Sequence, residues 1–232
     1  MIAAVAGIGV LVQQSRAGAD AALGKGPLVV PSGAVGYGDA VGDGGAAIPY
    51  GASQAAKVTL TVYEDFRCPY CLRAEATFEN TYKAYAQAGK IKVQYHLVDL
   101  LDRNLGGTGS IRAGNAGACA QDAGKFEAYH DLLYANQPEE TNDAYGSNAA
   151  LIGLAAQVPG LDTDTFRSCV ARGTHGSWVR RNYDALNALL KGSVSTPYYA
   201  INGTQFKMTM QPAAYQQEAF KAALDSALAT AG

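Results

Sequence analysis

The chain has 232 residues, of which 48% are hydrophobic and 16% charged, and a formal net charge of -2. This is enough apolar material for one good core, in one elaborated domain or two small ones. The near-neutral charge and the lack of any long Lys or Arg run argue against nucleic acid as a partner, and four cysteines are too few for a disulfide-stapled miniprotein.

The residues Met1-Ile2-Ala3-Ala4-Val5-Ala6-Gly7-Ile8-Gly9-Val10-Leu11-Val12 form an uncharged apolar run. It is shorter than the about 20 residues that span a bilayer, and it lacks the basic start of a signal peptide. Residues 1–13 read as part of a membrane anchor or signal segment, with a basic flank expected upstream of Met1; a buried N-terminal segment is the plainer alternative. Residues 14–47 are crowded with Gly, Ala and Pro and read as a tether and lead-in, with Leu28-Val29-Val30 as a candidate edge strand.

Val58-Thr59-Leu60-Thr61-Val62-Tyr63 alternates in the manner of a strand and runs into Glu64-Asp65-Phe66-Arg67-Cys68. A helix should follow, with Leu72, Glu75, Phe78, Glu79, Tyr82 and Tyr85 spaced three and four apart and Gly89 as its stop. Ile91, Val93, Tyr95 and Leu97 alternate as a second strand, which completes a right-handed βαβ unit with parallel strands. Short helices are then predicted over Ile111–Ala123, Phe126–Ala135, Asn148–Gln157, Thr163–Ala171 and Ser177–Leu190. Strand character returns at Tyr198–Ile201, Asn202-Gly203 is a preferred hairpin turn into Phe206–Thr209, and Pro212 opens a last helix. The order is βαβ, a helical block, then ββα. It predicts an α/β chain with a small α/β domain over residues 48–107 and 192–230, interrupted by an inserted α-helical domain over residues 108–191.

Cys68-Pro69-Tyr70-Cys71 falls where strand becomes helix. Cys68 would take the N-cap, and Pro69 the first helical position, where its missing N–H costs nothing. The Cys68 sulfur would then face the unsatisfied N–H groups and positive dipole end of the first turn, which stabilise a thiolate; such cysteines have pKa values of roughly 3.5–7.5 against about 8.5 when free. Cys71, one turn further in, is placed as the less accessible partner. Zinc would need about four ligands, and no second CxxC or close histidine pair accompanies the motif, since His96, His130 and His175 are scattered. A purely structural disulfide does not explain a pair set at an exposed corner with Pro between. The pattern points to thiol–disulfide exchange with no organic or metal cofactor.

Tyr63-Glu64-Asp65-Phe66-Arg67-Cys68-Pro69-Tyr70-Cys71 resembles the active-site segment of DsbA-like thioredoxin-fold proteins. Ser195-Thr196-Pro197-Tyr198, followed by Ile201-Asn202-Gly203, is similar to that family's Thr-Pro loop, in which the proline is cis and packs against the active-site disulfide. The resemblance covers roughly residues 48 to 228 and implies a thioredoxin fold interrupted by the helical insertion. It assigns Thr196 and Pro197 to substrate binding, although Ser195 replaces a glycine common in the family. Pro-Tyr between the cysteines also occurs in glutaredoxins, which are small and have no such insertion.

Val62 stands six residues before Cys68, where thioredoxins and some relatives carry a buried acid. Proton transfer to Cys71 would then use Glu64, Asp65 or water. By resemblance to actinobacterial members, Cys119 and Cys169 are expected to form a structural disulfide; taken alone, the residues leave two unpaired buried cysteines open. Such a bond would place the chain in an oxidising compartment. His130 reads as a packing residue, and Tyr82, Tyr85, Tyr129 and Trp178 as core. The implied activity is oxidation of thiols in reduced exported polypeptides by an extracytoplasmic monomer, anchored through its N-terminus or secreted, with a membrane-bound quinone-linked thiol oxidase as redox partner. A reductase or isomerase shares that chemistry, and a non-catalytic binding or chaperone module is the alternative of another class.

Overall fold

In a computed structural model, residues 23–35, 46–209 and 211–232 are described; the apolar run at the N-terminus lies outside them. Five strands form one sheet: β1 (Ile48–Tyr50), β2 (Val58–Glu64), β3 (Ile91–Leu97), β4 (Tyr198–Ile201) and β5 (Thr204–Phe206), in the spatial order β1-β3-β2-β4-β5. β2 and β3 are parallel, joined by helix α1 (Pro69–Gln87), whereas β1 on β3, β4 on β2 and β5 on β4 are antiparallel. Between β3 and β4 come α2 (Leu100–Leu105), α3 (Gly109–Asp122), α4 (Phe126–Ala135), a 3-10 turn (Ala144–Gly146), α5 (Asn148–Ala155), α6 (Asp164–Arg172) and α7 (Gly176–Leu189); α8 (Ala213–Thr230) ends the chain. The fold is the thioredoxin fold of DsbA-like proteins.

β2 is central and almost wholly buried, with Val58, Leu60 and Val62 alternating with Thr59 and Thr61 and only Thr59 partly exposed. On one face Phe78 of α1 meets Phe220 of α8, ring centroids 4.6 Å apart, and the edge of Tyr199 from β4 at 5.6 Å. On the other face α3 lies close to the sheet because its sequence is nearly all small residues. A Cβ on Gly117 would come within 3.0 Å of Leu97, and one on Gly114 within 2.9 Å of Val179 from α7. One apolar core therefore runs from the sheet into the helical block.

Four local expectations need correction. Leu28-Val29-Val30 is no strand but irregular chain with exposed side chains, laid over the helices, where the Val29 carbonyl meets His175 Nδ1 at 2.9 Å. β5 ends at Phe206 rather than Thr209, where its ladder with β4 stops at the pair of Tyr199 and Phe206. α2 was not anticipated; the Asp65 carboxylate accepts the Leu101 N–H at 2.8 Å and anchors its first turn. On α1, Leu72 faces outward and Tyr85 is only partly buried against the core, while Cys71, Ala74, Phe78 and Tyr82 form the buried stripe. The Asn202-Gly203 turn has φ of 46° and 78°, as a two-residue hairpin requires, and Asn202 Oδ1 accepts the Thr59 N–H at 2.8 Å, locking the hairpin to β2.

Candidate active site

β2 delivers the chain to a tight turn, closed by the Cys68 N–H donating to Asp65 O at 2.9 Å. Cys68 then takes the N-cap of α1 in extended backbone (φ -75°, ψ 117°), with Pro69 at the helix start. The N–H groups of Cys71 and Leu72 both donate to Cys68 O. Cys68 is 3% and Cys71 1% exposed, while Tyr70 between them stands 53% exposed. The hydrogen bond from the Cys71 thiol, opposed by burial and assisted by Thr196 and the first-turn N–H groups of Cys71 and Tyr70, brings Cys68 down to about 6. Burial, reinforced by the neighbouring Cys68, pushes Cys71 well above its ordinary value. One helical turn thus produces two sulfurs of opposite character.

The pairing of Tyr198 with Tyr63 carries the preceding loop up to the same corner. The Thr196-Pro197 bond is cis, and the Thr196 carbonyl lies 3.5 Å from Cys68 Sγ. Beside it opens a cavity of about 500 Å³ whose lining includes Tyr70, Arg73, Ser195, Thr196, Pro197 and Met208.

Glu64 and Asp65 are both buried but differently engaged. Asp65 accepts the Arg67 N–H and the Leu101 N–H, each at 2.8 Å, so both oxygens are committed; burial still raises it to about 7. Its own N–H points at Cys71 Sγ at 3.5 Å. Glu64 holds His130 Nε2 at 2.9 Å through Oε1, while its buried Oε2 has no hydrogen-bond partner. Glu64 also acts electrostatically on Cys71.

Three supporting residues carried no readable sequence signal. Arg67 is fully buried and fastens the turn to the helical block through Asp102 (2.8 Å), Asp143 (3.1 Å) and the Gly106 carbonyl (3.0 Å). Gln137, just past α4, donates to the carbonyls of both Phe66 and Cys68 at 3.0 Å. His130 sits on α4 opposite Glu64, 66 residues away in sequence; its place in an amphipathic helix looks the same whether its partner is apolar or charged.

Cys119 of α3 and Cys169 of α6 are joined, with an S–S distance of 2.01 Å, away from the Cys68 corner. Among the described residues, two groups have metal-ligand types close together. In Cys119, Cys169 and His175 the sulfurs are bonded to each other; in Glu75, Glu79 and His130 the donors are taken by Tyr82 and Tyr199, by Lys83, and by Glu64 and Asp131. No helix among the described residues is long and apolar enough to cross a membrane.

A family model described as Thioredoxin matches residues 45–226. Two Na(+)/H(+) antiporters, NhaA 3 of Salinispora tropica and NhaA 1 of Salinispora arenicola, are 30% and 32% identical over 176 residues, which is 76% and 75% of this chain. The chain spans about a quarter (24%) of the length of these curated relatives. The reduced disulfide bond oxidoreductase DsbG of Mycobacterium tuberculosis is 28% identical with a TM-score of 0.60, covering 80% of this chain and 93% of that one. Oxidised DsbA of the same organism is 26% identical with a TM-score of 0.62, covering 80% and 100%. The thiol-disulfide oxidoreductase MdbA of Corynebacterium diphtheriae, at 22% identity and a TM-score of 0.60 over 84% and 96%, has the same fold. The family match extends over most of its length: the chain belongs to the thioredoxin family and has the DsbA-like fold.

Proposed function

We propose that this chain is an extracytoplasmic thiol oxidase that introduces disulfides into exported polypeptides through Cys68 and Cys71. The observation that carries the reading is the asymmetry of the two sulfurs, Cys68 low at about 6 and Cys71 high. A centre whose reduced form is stabilised as a thiolate is a stronger oxidant. In one cycle a substrate thiolate attacks Cys68 of the Cys68–Cys71 disulfide, and Cys71 leaves and takes up a proton. A second substrate thiol, losing its proton, displaces Cys68 as a stabilised thiolate. Two electrons pass from two substrate thiols to the pair.

In this reading Pro69 and Tyr70 shape the first turn, the Thr196-Pro197 loop receives the substrate chain beside Cys68, and Glu64 rather than Asp65 exchanges the Cys71 proton, because only Glu64 has a free oxygen. Cys119–Cys169 is structural. The electrons go on to a membrane-bound quinone-linked oxidase, and the N-terminal apolar run serves export or anchoring. One second reading, a reductase or isomerase, uses the same centre in the opposite direction. Oxidative refolding of a reduced protein is expected to fall by roughly 10³-fold or more in Cys68→Ser, as loss of a covalently reacting residue does; retained refolding would instead support a chaperone module. Equilibration of the pair with glutathione buffers separates the other two: a potential near about -120 mV supports the oxidase, one near about -270 mV the reductase.

A further inference from the structure

We propose that Glu64, His130 and Asp131 form a relay that carries the Cys71 proton between the buried centre and solvent. The inference rests on the exchange chemistry proposed above and extends it to the positioning residue His130 and the exit residue Asp131. Cys71 is sealed, yet the step that opens or closes the Cys68–Cys71 bond must load or unload a proton on its sulfur. From Glu64, whose charge acts on Cys71, a hydrogen-bonded line leads outward. Glu64 Oε2, buried and without a hydrogen-bond partner, is the free end. Glu64 Oε1 meets His130 Nε2 at 2.9 Å, and His130 Nδ1 meets Asp131 Oδ1 at 3.1 Å. The His130 and Glu64 side chains are 2% and 1% exposed, but that of Asp131 is 43% exposed. Both ring nitrogens are engaged by carboxylates, one facing the core and one facing water, as a shuttle needs and as packing alone does not.

The surroundings keep the line polarised. Glu75, Glu79 and Lys83 of α1, Glu127 and Tyr134 of α4, and Tyr95 of β3 face the cluster. Burial would depress His130, but the charge of Glu64 and the Asp131 hydrogen bond hold it up at about 10, so the ring starts as an imidazolium. Lys83 binds both oxygens of Asp131 at 2.8 and 2.9 Å and keeps it ionised at the outlet. When Cys71 must act as a thiolate, its proton passes to Glu64, and the imidazolium releases its Nδ1 proton to Asp131 and water. The Glu64–His130 pair holds one proton before and after, and one proton leaves. The oxidative direction runs the same path inward.

A nitroaromatic disulfide whose released thiolate is coloured tests this with the reduced protein. In the first phase the Cys68 thiolate attacks the reagent and releases one coloured thiolate. In the second, Cys71 gives up its proton, attacks Cys68, and releases the other. In His130→Gln, which keeps a hydrogen bond but cannot titrate, the second phase is expected to slow roughly a hundredfold at neutral pH, the scale of general acid–base catalysis. Its rate should then rise about tenfold per pH unit as hydroxide takes over. Asp131→Asn, at a half-exposed position, should show a smaller slowing with the same change of pH profile. A second phase of unchanged rate, or one slowed equally at every pH in both variants, overturns the relay and leaves His130 structural. A first phase that persists in Cys68→Ser overturns the exchange reading itself.

Discussion

Cys68 and Cys71 face each other across one helical turn, while Cys119 and Cys169 belong to separate helices 50 residues apart. Both pairs are buried, so accessibility does not distinguish them. The first pair sits on a helix N-terminus beside an open cavity, with N–H donors and the Thr196 carbonyl around one sulfur and a buried acid near the other. The second staples α3 to α6 within a helical block. In the proposed reading the same element is reactive in one place and inert in the other because of the backbone dipoles and carboxylates around it.

The sharpest way to break this contrast is to delete the second pair. Cys119→Ala with Cys169→Ala is expected to lower unfolding stability by about 4 kcal/mol, the chain-entropy value for such a loop, in denaturant titrations, while thiol exchange at Cys68 continues in the folded protein. Loss of exchange with no loss of stability would reverse the roles assigned to the two pairs.

A smaller effect separates the two acids of the first pair. Asp65→Asn puts an amide donor against one of two N–H groups and should cost about 1–3 kcal/mol, as an unsatisfied buried group does. Glu64→Gln, with its free oxygen, should cost less, and equal losses in urea titrations would mean that Glu64 is as structural as Asp65.

The mildest test is pH. A thiol held at about 6 is charged above that value, so alkylation of Cys68 should be nearly constant at neutral pH and fall about tenfold per unit below about 6. The sign follows for stability too: the thiolate's contribution to the reduced fold is lost as pH falls through about 6. A rate still rising above pH 8 would show an ordinary thiol.

Much of the architecture was legible because it is local. The alternation in Val58–Tyr63, the Pro69 helix start, the run from Phe126 to Ala135 and the Asn202-Gly203 turn each encode their own backbone. The helix α2 was not legible, since six residues carry too little periodicity and its anchor is Asp65, distant in sequence.

The sequence by itself determined the exchange centre: a cysteine, a proline and a second cysteine one turn on, after a strand, specify an N-capped thiolate wherever the chain places them. Tertiary structure alone decided how the two neighbouring acids are engaged. Glu64 and Asp65 are adjacent and alike in sequence, but alternation along the strand sends them to opposite surroundings. One meets the N–H groups of Arg67 and Leu101, and the other meets His130 on a helix far along the chain.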